Sequence, residues 1–287
     1  MLTVDTLAGL RDAVRKLRQG GQSLALVPTM GALHEGHLAL VREAKRHADT
    51  VAVSIFVNPK QFGPNEDLDA YPRQLAADSA LLEKEGVALL WAPPLAEVYP
   101  KGFATNVSVL GVSEGLCGAS RPGHFDGVAT VVLKLFNQVQ PDIAVFGEKD
   151  WQQLAVIRRM ARDLDLTHPH AGSIVGVPTV REAGGLAMSS RNAYLSPEDR
   201  ARAAALPLEM REAIEKLQLG EDANWVLAEI ENGLLMAGFD SVDYAVLADA
   251  ASLEPLDALG DEPARLLVAA RIGGTRLIDN MAVGESG

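Results

Sequence analysis

Short apolar runs alternate with amphipathic stretches through the first two thirds of the chain. Leu24 to Val27 reads as a buried strand, and Gly36 to His47 as a helix with Leu38, Val41 and Ala44 on one face. Val51 to Val57, rich in β-branched residues, predicts a second strand. Gln74 to Glu85 predicts a helix ended by Gly86, and Val87 to Trp91 a third strand. Val128 to Val139 is apolar throughout, helical or mixed; Ile143 to Phe146 reads as a strand and Trp151 to Leu164 as a helix. Such alternation predicts an α/β fold, a parallel sheet covered by helices, with ligands at the carboxyl ends of the strands. The last third differs. Pro197 to Leu217 and Asp222 to Ala237 read as two helices, the first capped by Ser196. Three strand-like runs follow, Val242 to Leu247, Leu266 to Ala270 and Arg276 to Ile278, which predicts a smaller α+β domain beyond a boundary near Pro178.

Composition narrows the function. The chain has 287 residues, 48% of them hydrophobic, enough to fill a sizeable core. Its formal net charge of -12 disfavours nucleic acid and anionic lipid as partners. An acidic protein that binds a phosphorylated ligand needs a local positive site. Cys117 is the single cysteine, so no intramolecular disulfide forms, in keeping with a reducing cytoplasm. The start, with Asp5 and Asp12, does not read as a signal peptide, and no apolar run is long enough to cross a bilayer.

Four clusters carry candidate chemistry. Pro28-Thr29-Met30-Gly31-Ala32-Leu33-His34-Glu35-Gly36-His37 follows a predicted strand and opens a predicted helix. Free N–H groups and the helix dipole there favour phosphate, and His34 and His37, three apart, share one face. A metal pair is the bland alternative, but two histidines make a poor metal site. Gly147-Glu148-Lys149-Asp150-Trp151-Gln152-Gln153 sits at the end of another strand. Lys149 suits a phosphate there, Asp150 a ribose or magnesium, and Gln153 offers donor and acceptor. An ordinary strand-to-helix turn capped by Asp150 is equally compatible. Met188-Ser189-Ser190-Arg191-Asn192, after Gly184 and Gly185, suits closure over a triphosphate, though a polar helix-capping loop reads the same way. Asn58 to Gly63 and Arg121 to Phe125 are loops with groups for a small polar acid. Nothing near Cys117 marks it as a nucleophile.

Together the clusters resemble the pantothenate synthetase (pantoate–β-alanine ligase) family. The matching stretches are PTMGALHEGH, FVNPKQFGPNEDLDAYPR, RPGHFDGVATVVLKLF, GEKDWQQ, GVPTVREAGGLAMSSRNAYLS and GGTRLIDNMA, in order over essentially the whole chain. The family belongs to the nucleotidyltransferase-like group that includes class I aminoacyl-tRNA synthetases. His34 to His37 resembles their first ATP signature and Met188 to Arg191, more loosely, the second. The resemblance implies a Rossmann-like nucleotidyltransferase-type domain over 1–178 and a smaller α+β lid domain over 179–287. It implies joining of pantoate to β-alanine with ATP, through a pantoyl-adenylate, releasing AMP and pyrophosphate, in a cytoplasmic homodimer. Met30 to His37, Gly147 to Asp150, Val180 and Met188 to Arg191 are expected to bind ATP, with His34, His37, Lys149 and Arg191 catalytic and His37 a proton donor. Gln61 and Gln153 are expected to hold pantoate, Gln61 also near β-alanine. Asp78 matches a magnesium-associated position, although Ala77 stands where some relatives carry a second acid. Arg121 and His124 imply a substrate or dimer contact, and Trp151 replaces a smaller aromatic.

Three other functions compete: transfer of a nucleotidyl group without a second acyl step, charging of tRNA, and non-catalytic ATP binding. The glutamine pair and the loops at 58–63 and 121–125 weigh against the first. A short acidic chain without a tRNA-binding extension weighs against the second. The density of polar side chains at strand ends weighs against the third.

Overall fold

A computed structural model describes residues 1–64 and 66–284; Asn65, within one of the quoted stretches, lies outside them. Six parallel strands form the first sheet: β1 (Leu2–Val4), β2 (Leu24–Thr29), β3 (Thr50–Ile55), β4 (Leu89–Trp91), β5 (Ile143–Gly147) and β6 (Ile174–Val177), in the order β1-β4-β3-β2-β5-β6. Helices α1 (Leu7–Leu17), α2 (Glu35–His47), α3 (Leu75–Lys84), α6 (His124–Val139) and α7 (Trp151–Asp163) are the longer connections, with short α4 (Leu95–Val98) and α5 (Cys117–Ser120) between them. Residue alternation along β2 separates the faces. Leu24 and Leu26 join one buried cluster, Ala25 and Val27 another.

Strand order reverses between β2 and β5. The chain proceeds from β2 to β3 on one side and later returns to place β5 on the other. A crevice opens beyond the carboxyl ends of the strands at such a switch point. The first two chemistry-bearing turns follow those two strands directly.

The C-terminal part consists of α8 (Pro197–Arg202), α9 (Ala205–Gln218) and α10 (Ala223–Met236) with an antiparallel sheet of β7 (Ser241–Asp249), β8 (Ala264–Ile272) and β9 (Thr275–Val283). Its own core joins Leu206, Met210, Val226, Ile230, Leu266 and Val268.

Several elements differ from the sequence reading. The single helix expected over 197–217 is two, because Pro207 has no N–H for the carbonyl of Ala203; Leu206 N–H takes it instead at 3.1 Å, and the helix restarts. The 128–139 run is helical throughout and begins at His124. It is apolar nearly all round because most of its residues are buried, which hides the period. β1, α1 and β6 were not foreseen, and β9 runs well past the expected Arg276 to Ile278.

Candidate active site

At the end of β2 the chain turns sharply into α2. His34 is the N-cap residue: its Nδ1 accepts from Gly36 N–H at 3.2 Å, and Nδ1 of His37 accepts from His34 N–H at 3.3 Å. This is a capping box built from two imidazoles. A Cβ on Gly36 would lie 2.9 Å from the His34 ring, so glycine is needed there. Because both Nδ1 atoms accept backbone protons, each ring keeps its own proton on Nε2. Burial, reinforced by His34, lowers the pKa of His37 to about 3; burial and then Lys149 lower that of His34. Both rings are therefore neutral donors at pH 7. In this neutral form the proton that His37 carries is the one on Nε2.

Asp78 on α3, the residue expected at a magnesium, has both carboxylate oxygens engaged by backbone amides. It is 1% exposed, and its two oxygens accept from Ala32 N–H and Leu33 N–H, each at 2.9 Å. Ala32 has φ 51, a conformation that costs free energy in a non-glycine residue, and the carboxylate holds the turn in it. Among the described residues no group of three His, Cys, Asp or Glu side chains is placed to hold a metal.

At the end of β5, Glu148 to Asp150 form a 3-10 turn leading into α7. Asp150 precedes α7 without capping it by its side chain, and Lys149 Nζ lies 3.7 Å from its carboxylate. The second substrate-side wall is the Pro59–Gln61 turn, which packs directly on α6. A Cβ on Gly127 would come within 2.3 Å of the Lys60 carbonyl oxygen, so this approach requires glycine. Gln61 Nε2 donates to Met30 Sδ at 3.1 Å, its Oε1 accepts from Asn58 at 3.1 Å, and its carbonyl contacts His124 Nδ1 at 2.8 Å. Burial, then Arg121, lowers the His124 pKa to about 4. Arg121 is paired with Glu66.

These turns surround one cavity of about 230 Å³. Its lining includes Met30, His34, Gly36, His37, Gly147, Lys149, Asp150, Val180, Met188, Ser189, Ser190 and Arg191, together with Gln61, Gln153, Arg121 and His124. Five expected nucleotide contacts, Gly31, Ala32, Leu33, Glu35 and Glu148, are not in the lining. Ala32 and Leu33 are buried under the turn, Glu35 is paired with Arg42, and Glu148 lies 3.6 Å from Arg265. Gln152 is likewise internal, holding Cys117 N–H and the carbonyls of Val112 and Gly115.

The 189–194 segment closes one side. Arg191 donates twice to Asp67, at 2.9 and 3.1 Å, and the hydroxyls of Ser190 and Tyr71 are 3.3 Å apart. Burial pushes the Asp67 carboxyl up, but its bonds to Arg191 outweigh this and hold it below the usual carboxylate range. Asn192, the last residue of the third cluster, bonds Glu182 and the Ala187 carbonyl, whereas Asp67 and Tyr71 were not singled out by the sequence reading. Asp67 and Tyr71 sit inside a quoted stretch, but only the fold reveals what they face.

A family profile described as pantoate-beta-alanine ligase matches residues 2–282. The chain belongs to that ligase family. The pantothenate synthetase of Novosphingobium aromaticivorans is 68% identical over 284 residues, covering 99% of each chain, and that of Sphingopyxis alaskensis 62% identical, covering 99% of this chain and 100% of its own. Among solved structures, pantothenate synthetase from Thermus thermophilus superposes with TM-score 0.90 at 48% identity, covering 98% of this ligase and 99% of its own chain. The pantoate-beta-alanine ligase of Francisella tularensis, solved with beta-gamma ATP and beta-alanine, gives TM-score 0.82 at 35% identity, covering 100% and 99%. Membership makes this chain an enzyme, a ligase, with the six-strand parallel and three-strand antiparallel sheets of its structural relatives. None of its described helices is long and apolar enough to span a membrane.

Proposed function

We propose that this ligase joins pantoate to β-alanine using ATP, through a bound pantoyl-adenylate, and releases AMP and pyrophosphate. One observation carries the reading: phosphate-directed donors and the glutamine pair line the same cavity. The catalytic assignment rests on His34, His37, Lys149 and Arg191, and the acid-binding assignment on Gln61 and Gln153. A carboxylate oxygen of pantoate attacks the α-phosphorus, and the α–β bond breaks with its electron pair leaving on pyrophosphate. The neutral amine of β-alanine then attacks the acyl carbon and expels AMP, the amine proton passing to solvent. The Nε2–H groups of His34 and His37, with Lys149, are preorganised donors for charge that grows on phosphate oxygens. Neutral rings suit this task, because they donate without surrendering a proton.

Neither Cys117 nor Ser189 is set up as a covalent carrier. Cys117 is buried with its Sγ 3.1 Å from the Tyr244 hydroxyl, and Ser189 accepts from Arg191 N–H in its own turn. Positioning and electrostatics therefore carry the rate. ATP enters as its magnesium complex, and Asp150 is the lining carboxylate able to face a metal carried on the phosphates. The same reading takes the ligase as a cytoplasmic homodimer, which sedimentation of the purified protein tests.

Labelled pyrophosphate should exchange into ATP only when pantoate is present. Carboxylate-labelled [18O]pantoate should deliver label to AMP after turnover. Label in inorganic phosphate would mean an acyl phosphate instead, and exchange without pantoate would mean simple nucleotidyl transfer.

A further inference from the structure

Two consecutive side chains of the last strand tie together opposite walls of the nucleotide cavity without lining it. Neighbouring residues of a strand point to opposite faces. On β9, Asp279 is 2% exposed and Asn280 4%, although both are polar. Such residues are tolerated in a core only when their hydrogen bonds are met. Asp279 accepts from the Arg181 guanidinium at 2.6 and 3.0 Å, and Arg181 also donates to the Gly185 carbonyl at 3.0 Å. Arg181 is bridged to Ala187, so this pair fixes the 180–188 hairpin that presents Val180 and Met188. Asn280 Nδ2 donates to the carbonyls of Glu148 at 3.0 Å and Lys149 at 2.9 Å. Its Oδ1 accepts from Arg265, whose guanidinium stacks 3.4 Å from the centre of the Trp151 ring.

We propose that Asp279 and Asn280 are positioning residues for adenylate formation. Asn280 fixes the peptide planes of the turn that aims Lys149, and Asp279 fixes the facing hairpin. The dipeptide thereby sets the separation between the two phosphate-binding walls. The assignment to adenylate formation rests on the two-step reading above. The second step, amine attack on the bound adenylate, needs no alignment of a departing pyrophosphate.

The test separates the half-reactions. Pantoate-dependent exchange of labelled pyrophosphate into ATP reads the first, and pantothenate formation from supplied pantoyl-adenylate and β-alanine reads the second. Asn280→Ala should slow exchange by about 10²-fold, the effect of a misplacement on the order of 1 Å, and leave the second half near the wild-type rate. The isosteric Asn280→Asp, which cannot donate to either carbonyl, should behave alike. Arg181→Gln, altered at a part-exposed side chain, should show a smaller loss with the same split. If Asn280→Ala yields no folded protein, the other two variants decide. Equal losses in both halves, or unchanged exchange in the folded variants, would overturn the proposal. Amide hydrogen exchange supplies a readout independent of the chemistry. Protection across residues 148–151 should fall in Asn280→Asp while that of α2 holds, and unchanged protection there also overturns it. If the wild-type ligase itself fails to exchange pyrophosphate, the two-step reading falls, and amide exchange alone judges the positioning role.

Discussion

The two sides of the nucleotide cavity are held by different physics. The 30–37 side is fixed by two part-buried imidazole caps at 3.2 and 3.3 Å and by two buried backbone amides at 2.9 Å from the Asp78 carboxylate. The 189–194 side is fixed by the partly exposed Arg191–Asp67 pair and by contacts from Ser190 and Tyr194 to the loop at 70–71. Buried hydrogen bonds cost their full desolvation penalty when broken, whereas part-exposed ion pairs are weak and screened by salt. On this contrast the first side is expected to hold its shape and the second to release more readily. Preorganisation belongs on the side where charge develops, and release on the side where product must leave.

The strongest way to break this contrast is His37→Ala. Loss of one preorganised donor should cut adenylate formation by about 10²–10³-fold with little change in the binding of pantoate. Near wild-type turnover would remove the ring from the mechanism. Next in size is Asp78→Asn, which turns one accepting oxygen into a donor facing a backbone N–H. The expected cost is about 1–3 kcal/mol of stability by denaturant unfolding, with unchanged magnesium dependence of activity. A raised magnesium requirement would restore Asp78 as a metal ligand.

Acid supplies a third test. His37 and His124 have folded pKa values of about 3 and about 4, below the ordinary value of 6.5. Between those limits the unfolded chain binds more protons than the folded one. Their contribution to stability is complete above pH 6.5 and lost as pH falls, at about 1.4 kcal/mol per pH unit for each ring in its window. Adenylate formation should show no inflection near 6.5 from these rings; an acid limb there would mean that one of them works as a cation. The smallest effect is expected from Asp67→Asn, about 0–1 kcal/mol in stability. It should nonetheless speed protease cleavage of the 184–191 loop without nucleotide, while ATP with magnesium still protects the wild-type loop. Equal cleavage of the wild type with and without nucleotide would count against that contrast.

The framework was legible wherever a period was visible. β2, α2, β3, β5 and α7 lie within a few residues of their expected places because each is a buried run or an amphipathic stretch. β9 was shortened in the reading because Asp279 and Asn280 look like the end of an apolar run, when they are its buried polar centre. The motif residues were legible by type, yet their directions were not. Glu35 and Glu148 occupy motif positions outside the cavity lining, Glu35 beside Arg42 two turns along its own helix and Glu148 beside Arg265, which only the fold brings near. The contacts of Asp78 were not legible, because its spatial partners are backbone amides 45 and 46 residues earlier, which no spacing rule reveals. Asp67 was missed for the same reason, its partner Arg191 lying 124 residues away.

Asn280 and the Glu148 carbonyl that it secures are 132 residues apart along the chain. Closing so long a loop is entropically slow compared with forming local turns. Every strand of the parallel sheet is already present by Val177, whereas the donors for the 148 and 149 carbonyls arrive with the final antiparallel strand. On refolding, protection of residues 148–151 is therefore expected to appear after that of the parallel sheet, which pulsed amide exchange tests.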